Sequence, residues 1–159
     1  MATRKTTKYI VVHCTANRPG CKLTMTDFRR MHRQRGWTDV GYHYIVFEDG
    51  RVEAGRPELE VGAHCKRGGH NNDSIGVAYV GGLDENGVTA DTRTAAQKKS
   101  LLTLLTALVR TYHATIVGHR DFDRTKVCPC FDAKEYNSII ADRLINKRVV
   151  IPSCPPPKV

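Results

Sequence analysis

The run Lys8 to Cys14, KYIVVHC, most constrains the fold, because it packs β-branched and aromatic side chains together and ends in a histidine and a cysteine. It reads as a buried strand, and Asn17-Arg18-Pro19-Gly20 breaks it. Thr24 to Arg35 then predicts a helix: Thr24 with Asp27 resembles a capping box, Phe28, Met31 and His32 share one face, and Gly36 ends it. Tyr42 to Glu48 and Arg51 to Ala54 flank Asp49-Gly50, a two-residue hairpin signal. Arg56 to Asp73 has no periodicity and reads as a long loop, of the kind that is functional or mobile in compact domains.

Ser74 to Val80 is a second apolar strand, ended by Gly81-Gly82. Thr94 and Gln97 form another capping box, opening a helix whose Leu101, Leu104, Leu105, Leu108 and Tyr112 make one apolar stripe. Thr115 to Val117 is a short strand, His119 to Phe131 an irregular segment, and Asp132 begins a last helix with Ile139, Ile140, Leu144 and Ile145 as its buried face. The expected architecture is one α/β domain over residues 1–148, a central mixed β-sheet flanked by helices, followed by a Pro-rich tail over 149–159.

The chain has 159 residues, enough for one hydrophobic core, and no apolar run near the roughly 18 residues of a membrane span. The apolar stretch after the basic N-terminus covers only Tyr9 to Val12, too short for a signal-peptide core. Synthesis in the cytoplasm is therefore expected, with another exit route for any outside target. A formal net charge of +9 favours anionic partners, or simply a soluble basic surface. No nucleic-acid-binding motif accompanies it, so no nucleic-acid partner is expected. Six cysteines, at 14, 21, 65, 128, 130 and 154, read as reduced thiols or metal ligands without an export signal.

His13 lies near the C-terminal end of the first strand, His119 directly follows the strand at 115–117, and Cys128 comes nine positions later (128 − 119). Two imidazoles and a thiolate suit zinc with a fourth position open for water, the catalytic rather than the structural arrangement. Zinc in such a site lowers the pKa of bound water to about 7. Taken singly, a strand histidine is as readily a core residue, and Cys128 a small hydrophobe. Tyr42 alone is a strand aromatic and Lys126 a solvated loop charge.

The ordered motifs narrow this. Val12-His13-Cys14-Thr15-Ala16, Gly36-Trp37, Val40-Gly41-Tyr42-His43-Tyr44, Asp49-Gly50 and Glu53-Ala54-Gly55-Arg56 come first. Gly62-Ala63-His64, Asn72-Asp73-Ser74-Ile75-Gly76-Val77, Gly118-His119-Arg120-Asp121 and Lys126-Val-Cys-Pro-Cys-Phe-Asp132 follow. From Tyr9 to Asp132 the chain resembles the type 2 N-acetylmuramoyl-L-alanine amidases, the family of small phage amidase-type lysozymes and animal peptidoglycan recognition proteins.

The resemblance implies zinc on His13, His119 and Cys128, and catalytic help from Tyr42 and Lys126. It implies hydrolysis of the amide between N-acetylmuramic acid and L-alanine in bacterial peptidoglycan. A phenol and an ammonium suit the charge that builds on the carbonyl oxygen. His64 and Asn72, in the long loop, are candidate substrate contacts. His43, next to Tyr42 on a strand, is expected to face the other way and be structural.

Many relatives carry a small residue where this chain has Cys130, a thiol expected to compete for zinc or pair with Cys128 on oxidation. The implied biology is an endolysin, monomeric, acting on the wall after release by a separate membrane-permeabilising protein. Two rival readings are a metal-free peptidoglycan-binding protein and a phage lysozyme that also binds the phage RNA polymerase.

Overall fold

The computed structural model describes residues 2–148, so the tail expected over 149–159 lies outside the described residues. The elements in chain order are β1 (Tyr9–Cys14), α1 (Met25–Gln34), β2 (Tyr44–Val46), β3 (Val52–Ala54), β4 (Ser74–Tyr79), α2 (Ala95–Tyr112), β5 (Thr115–Gly118), the single turn α3 (His119–Phe122), and α4 (Glu135–Arg148). The five strands form one mixed sheet in the order β3-β2-β4-β1-β5. β2, β4, β1 and β5 run parallel to their neighbours, and only the edge strand β3 is antiparallel. All six residues of β4 are buried, as befits a central strand covered on both faces.

Alternation along the strands sorts the core into two layers. Ile10, Val12, Ile75, Val77, Tyr79 and Ile116 face Leu101, Leu105 and Leu108 of α2 and Ile140 of α4. On the other face Ile45 joins Val40, Phe47 and Val80 against Met25 and Phe28 of α1. Both capping boxes form, Thr24 with Asp27 and Thr94 with Gln97. Gln97, wholly buried, also donates from Nε2 to the carbonyls of Val46 (3.1 Å) and Val80 (2.9 Å), tying α2 to the sheet.

Three local expectations change. The hairpin closes over residues 48–50, because Phe47 N–H bonds to the Arg51 carbonyl and Val46 pairs with Val52. Gly50 takes the left-handed conformation (φ 87°) that a three-residue loop requires, so the loop is not the expected two-residue turn. The last helix begins at Glu135 rather than Asp132, and it buries Ile140, with Leu144 partly buried, while Ile139 is 42% and Ile145 61% exposed. Ala133, Tyr136, Ile140 and Leu144 set the inward stripe, and each of the other two isoleucines sits about 100° round the axis from a stripe position. The long loop contains a 3-10 segment, Arg67–Asn72, kinked at Gly68 and Gly69, both at positive φ.

The N-terminal residues strap this loop. Arg4 N–H bonds to the Leu59 carbonyl and Val61 N–H to that of Ala2. No helix among the described residues is long and apolar enough to cross a membrane.

Candidate metal and active site

The site lies at the C-terminal ends of the parallel strands, where open α/β sheets place ligands. β1 pairs with β5 so that Val12 lies beside Gly118, which brings His119, the next residue, alongside His13. Their ring centroids are 4.6 Å apart. Asp121 caps the start of α3 by accepting the Gly118 N–H at 2.7 Å, and it pairs with Lys134 at 2.9 Å.

The segment after α3 folds back on β1 and β5. Arg120 N–H bonds to the Cys128 carbonyl (2.8 Å), and the Tyr79 hydroxyl donates to that of Pro129 (2.8 Å). The Cys128–Pro129 peptide is cis. Gly118 is needed beneath it, since a Cβ there would stand 2.7 Å from Pro129 Cδ. Cys128 Sγ accepts the Cys14 N–H at 3.2 Å and lies 3.7 Å from His13 Nδ1.

One donor atom from each of His13, His119 and Cys128 thus falls within 4.8 Å of the others, close enough for a single metal ion. His13 is buried, and burial pushes its imidazole well below its ordinary pKa, with His64, His119 and His43 pushing the same way. Burial also lowers His119, helped by Lys126 and opposed by Asp123. Neutral imidazoles keep a lone pair free for a metal.

Tyr42 packs its ring 5.3 Å from that of His13. Burial raises its phenol above the ordinary value, with the Cys128 and Cys14 sulfurs adding to the shift and Arg35 opposing it. Lys126 is exposed on the loop that carries Cys128. It lines a cavity of about 290 Å³ together with Trp37, Ala63, His64, Lys66, Arg67, Asn71, His119 and Asp123. A larger cavity of about 610 Å³, between the hairpin and α2, contains none of the predicted site residues. Of the predicted site residues, His64, His119 and Lys126 line the smaller one.

The remaining predicted residues fall differently. His64 is buried, and its Nδ1 lies 3.0 Å from His13 Nε2. Asn72 is exposed and donates to the Gly69 carbonyl (3.0 Å), away from the cavity lining. Its neighbour Asn71 lines the cavity instead, and its Oδ1 accepts from the N–H groups of His64 (2.8 Å) and Cys65 (2.7 Å). Adjacent asparagines in an aperiodic loop carry no signal that would separate these roles.

His43 is buried, and its Nδ1 accepts the Gly76 N–H at 2.9 Å. Its ring does not turn away from the site: it lies 5.6 Å from His64, while Tyr42 borders His13. The expected opposition presumed a regular strand at residue 42, and β2 begins only at Tyr44. Cys130 turns its sulfur to Cys14 Sγ (3.8 Å) and the Gly82 carbonyl (3.4 Å), and it is not among the clustered metal donors.

The chain is 45% identical over 134 residues to an endolysin of Enterobacteria phage T3, covering 84% of this chain and 87% of that protein. It is 42% identical over 133 residues to an endolysin of Escherichia phage T7, with the same coverage of 84% and 87%. Among solved structures it is similar to the endolysin N-acetylmuramoyl-L-alanine amidase LysCS of Clostridium intestinale, with a TM-score of 0.71, 30% identity, and coverage of 88% of this chain and 84% of that one. The profile of the N-acetylmuramoyl-L-alanine amidases matches residues 3–131, a span that takes in every residue of the site from His13 to Cys128, and the chain belongs to that family.

Proposed function

We propose that the protein is a zinc-dependent endolysin that hydrolyses the amide between the lactyl group of N-acetylmuramic acid and the L-alanine of the stem peptide. The observation that carries this reading is the convergence of His13, His119 and Cys128 beside a cavity that His119 and Lys126 both line. The donor set fits zinc. Two nitrogens and a sulfur are its preferred ligands, burial keeps both imidazoles below their ordinary pKa, and the Cys14 N–H holds Cys128 Sγ in place. When bound, zinc supplies a Lewis acid for the scissile carbonyl and activates water for attack.

The chain's own groups then divide the remaining work. Tyr42, a phenol that burial pushes still further above neutral pH, keeps its proton and serves as a hydrogen-bond donor to the carbonyl oxygen rather than as a base. Lys126 brings an ammonium to the same oxygen from the cavity rim. Asp123, the carboxylate lining the cavity, is a poor base: hydrogen bonds from Thr125, and then Arg67, hold it at about 2. Lys66 and Arg67 add positive charge around the cavity, which suits the carboxylates of a stem peptide.

The basic charge of +9 would also hold the protein to an anionic envelope, and that binding should weaken with salt. A non-catalytic binding role is the weaker reading, since binding alone gives no reason for a sulfur at 128 beside two neutral imidazoles.

The test is digestion of purified sacculi followed by mass spectrometry, with metal content measured on the same sample. Chelator-sensitive release of intact stem peptides with free L-alanine amino termini is expected. A folded, zinc-loaded sample that releases none would overturn the proposal.

A further inference from the structure

His64 is positioned with unusual care for a loop residue. Its backbone N–H and that of Cys65 share one acceptor, Asn71 Oδ1, at 2.8 and 2.7 Å. Its ring lies where two glycines leave room. A Cβ on Gly76 of β4 would come within 2.5 Å of His64 Cγ, and one on Gly62 within 2.5 Å of its Cδ2. Any larger residue at either position would move the ring, so both lack side chains for a reason of packing. The outcome is one contact with chemical meaning: His64 Nδ1 stands 3.0 Å from His13 Nε2.

The direction of that hydrogen bond follows from the other side of the His13 ring. His13 Nδ1 faces Cys128 Sγ at 3.7 Å while Nε2 is turned to His64, so Nδ1 is the nitrogen placed to share a metal ion with Cys128. A ligating nitrogen carries no proton, so the proton of a neutral His13 sits on Nε2 and is donated to His64 Nδ1. His64 must then carry its own proton on Nε2. That atom is buried and has no partner at hydrogen-bonding geometry among the described residues.

Resting on the zinc reading above, we infer that His64 is the positioning residue of the metal centre: it fixes the ring orientation and tautomer of His13. Such partners are usually carboxylates, carbonyls or water. Here a second imidazole takes the place, orienting the ligand where a carboxylate would otherwise stand. The inference replaces a substrate contact with a supporting one, and the two make different demands. A substrate contact leaves metal affinity alone, whereas an orienting partner typically accounts for about 10–100-fold of it.

The experiment measures zinc affinity by competition with a chromophoric chelator in the wild-type protein, His64→Ala and His64→Asn. The alanine variant is expected to bind zinc about 10–100-fold more weakly. The asparagine variant places an amide oxygen near the position of Nδ1 and is expected to recover most of that loss. Histidine nitrogen NMR of the zinc-loaded wild type should show His64 protonated on Nε2, a readout that needs no variant to fold. Wild-type affinity in a folded His64→Ala, or a His64 proton on Nδ1, overturns the inference while leaving the zinc reading intact. A wild-type protein that binds no zinc overturns both.

Discussion

The backbone N–H of Cys14 donates to the sulfur of Cys128 at 3.2 Å, so the strand residue next to His13 also steadies the donor 114 positions further along the chain. Strand β1 thus serves the site twice, through the His13 side chain and the Cys14 main chain. Cys128→Ser keeps an acceptor for that N–H but removes the soft ligand. We expect zinc affinity to fall by more than the roughly 100-fold that loss of a merely supporting contact costs. Metal analysis after gel filtration checks this, and full zinc retention by the serine variant would contradict the ligand assignment.

Tyr42 and Lys126 flank the cluster without belonging to it. If both stabilise the carbonyl oxygen as charge develops, Tyr42→Phe and Lys126→Ala should each lower kcat by roughly 100- to 1000-fold. Zinc content and thermal stability should change little, because neither group is a metal donor in the cluster. Turnover of a soluble muropeptide, measured beside metal stoichiometry, separates this from a structural effect. A variant that loses zinc along with activity would place its residue in the metal site instead.

The Cys14 and Cys130 sulfurs, 3.8 Å apart, form the thiol pair that oxidation should join. A two-electron oxidant such as diamide removes two electrons and two protons from them as the S–S bond forms. Peptide mapping should then find Cys14 linked to Cys130, and Cys130→Ser should prevent the link. A Cys128–Cys130 bridge as the main product would show that the loop rearranges before it reacts.

Two buried histidines outside the candidate metal site should make stability fall in acid. Burial is the first cause in both, and it brings His32 and His43 down to about 4, with nearby arginines adding to the shift. In the unfolded chain each titrates near 6.5. Below that pH the unfolded state binds more protons, so stability drops as pH falls from about 6.5 towards about 4 and is unaffected above it. Each group accounts for up to about 2 kcal/mol at pH 5 relative to neutral pH. Urea unfolding of metal-free protein at pH 7 and pH 5 reads this out. His32→Asn retains an acceptor for the Gly41 N–H that His32 Nδ1 accepts at 2.9 Å, and should lose less stability in acid than the wild type.

What the sequence determined by itself was local. Capping boxes at Thr24 and Thr94 act within three residues, and the apolar runs at Tyr9 and Ser74 declare themselves by composition, so strands and helices were legible from their own residues. The family resemblance carried by the ordered motifs also singled out His13, His119 and Cys128, which the tertiary structure brings within reach of one ion.

What the sequence left open depends on pairs far apart in the chain. The bond from His13 to His64 spans 51 positions and the approach of Cys14 to Cys130 spans 116, and neither leaves a trace in any short window. The choice of Asn71 over Asn72 turns on how the Arg67–Asn72 segment kinks, and the exposure of Ile139 and Ile145 on how α4 is rotated against the sheet. Such details follow from which side chain meets which neighbour once the sheet has assembled, and periodicity alone cannot register a meeting.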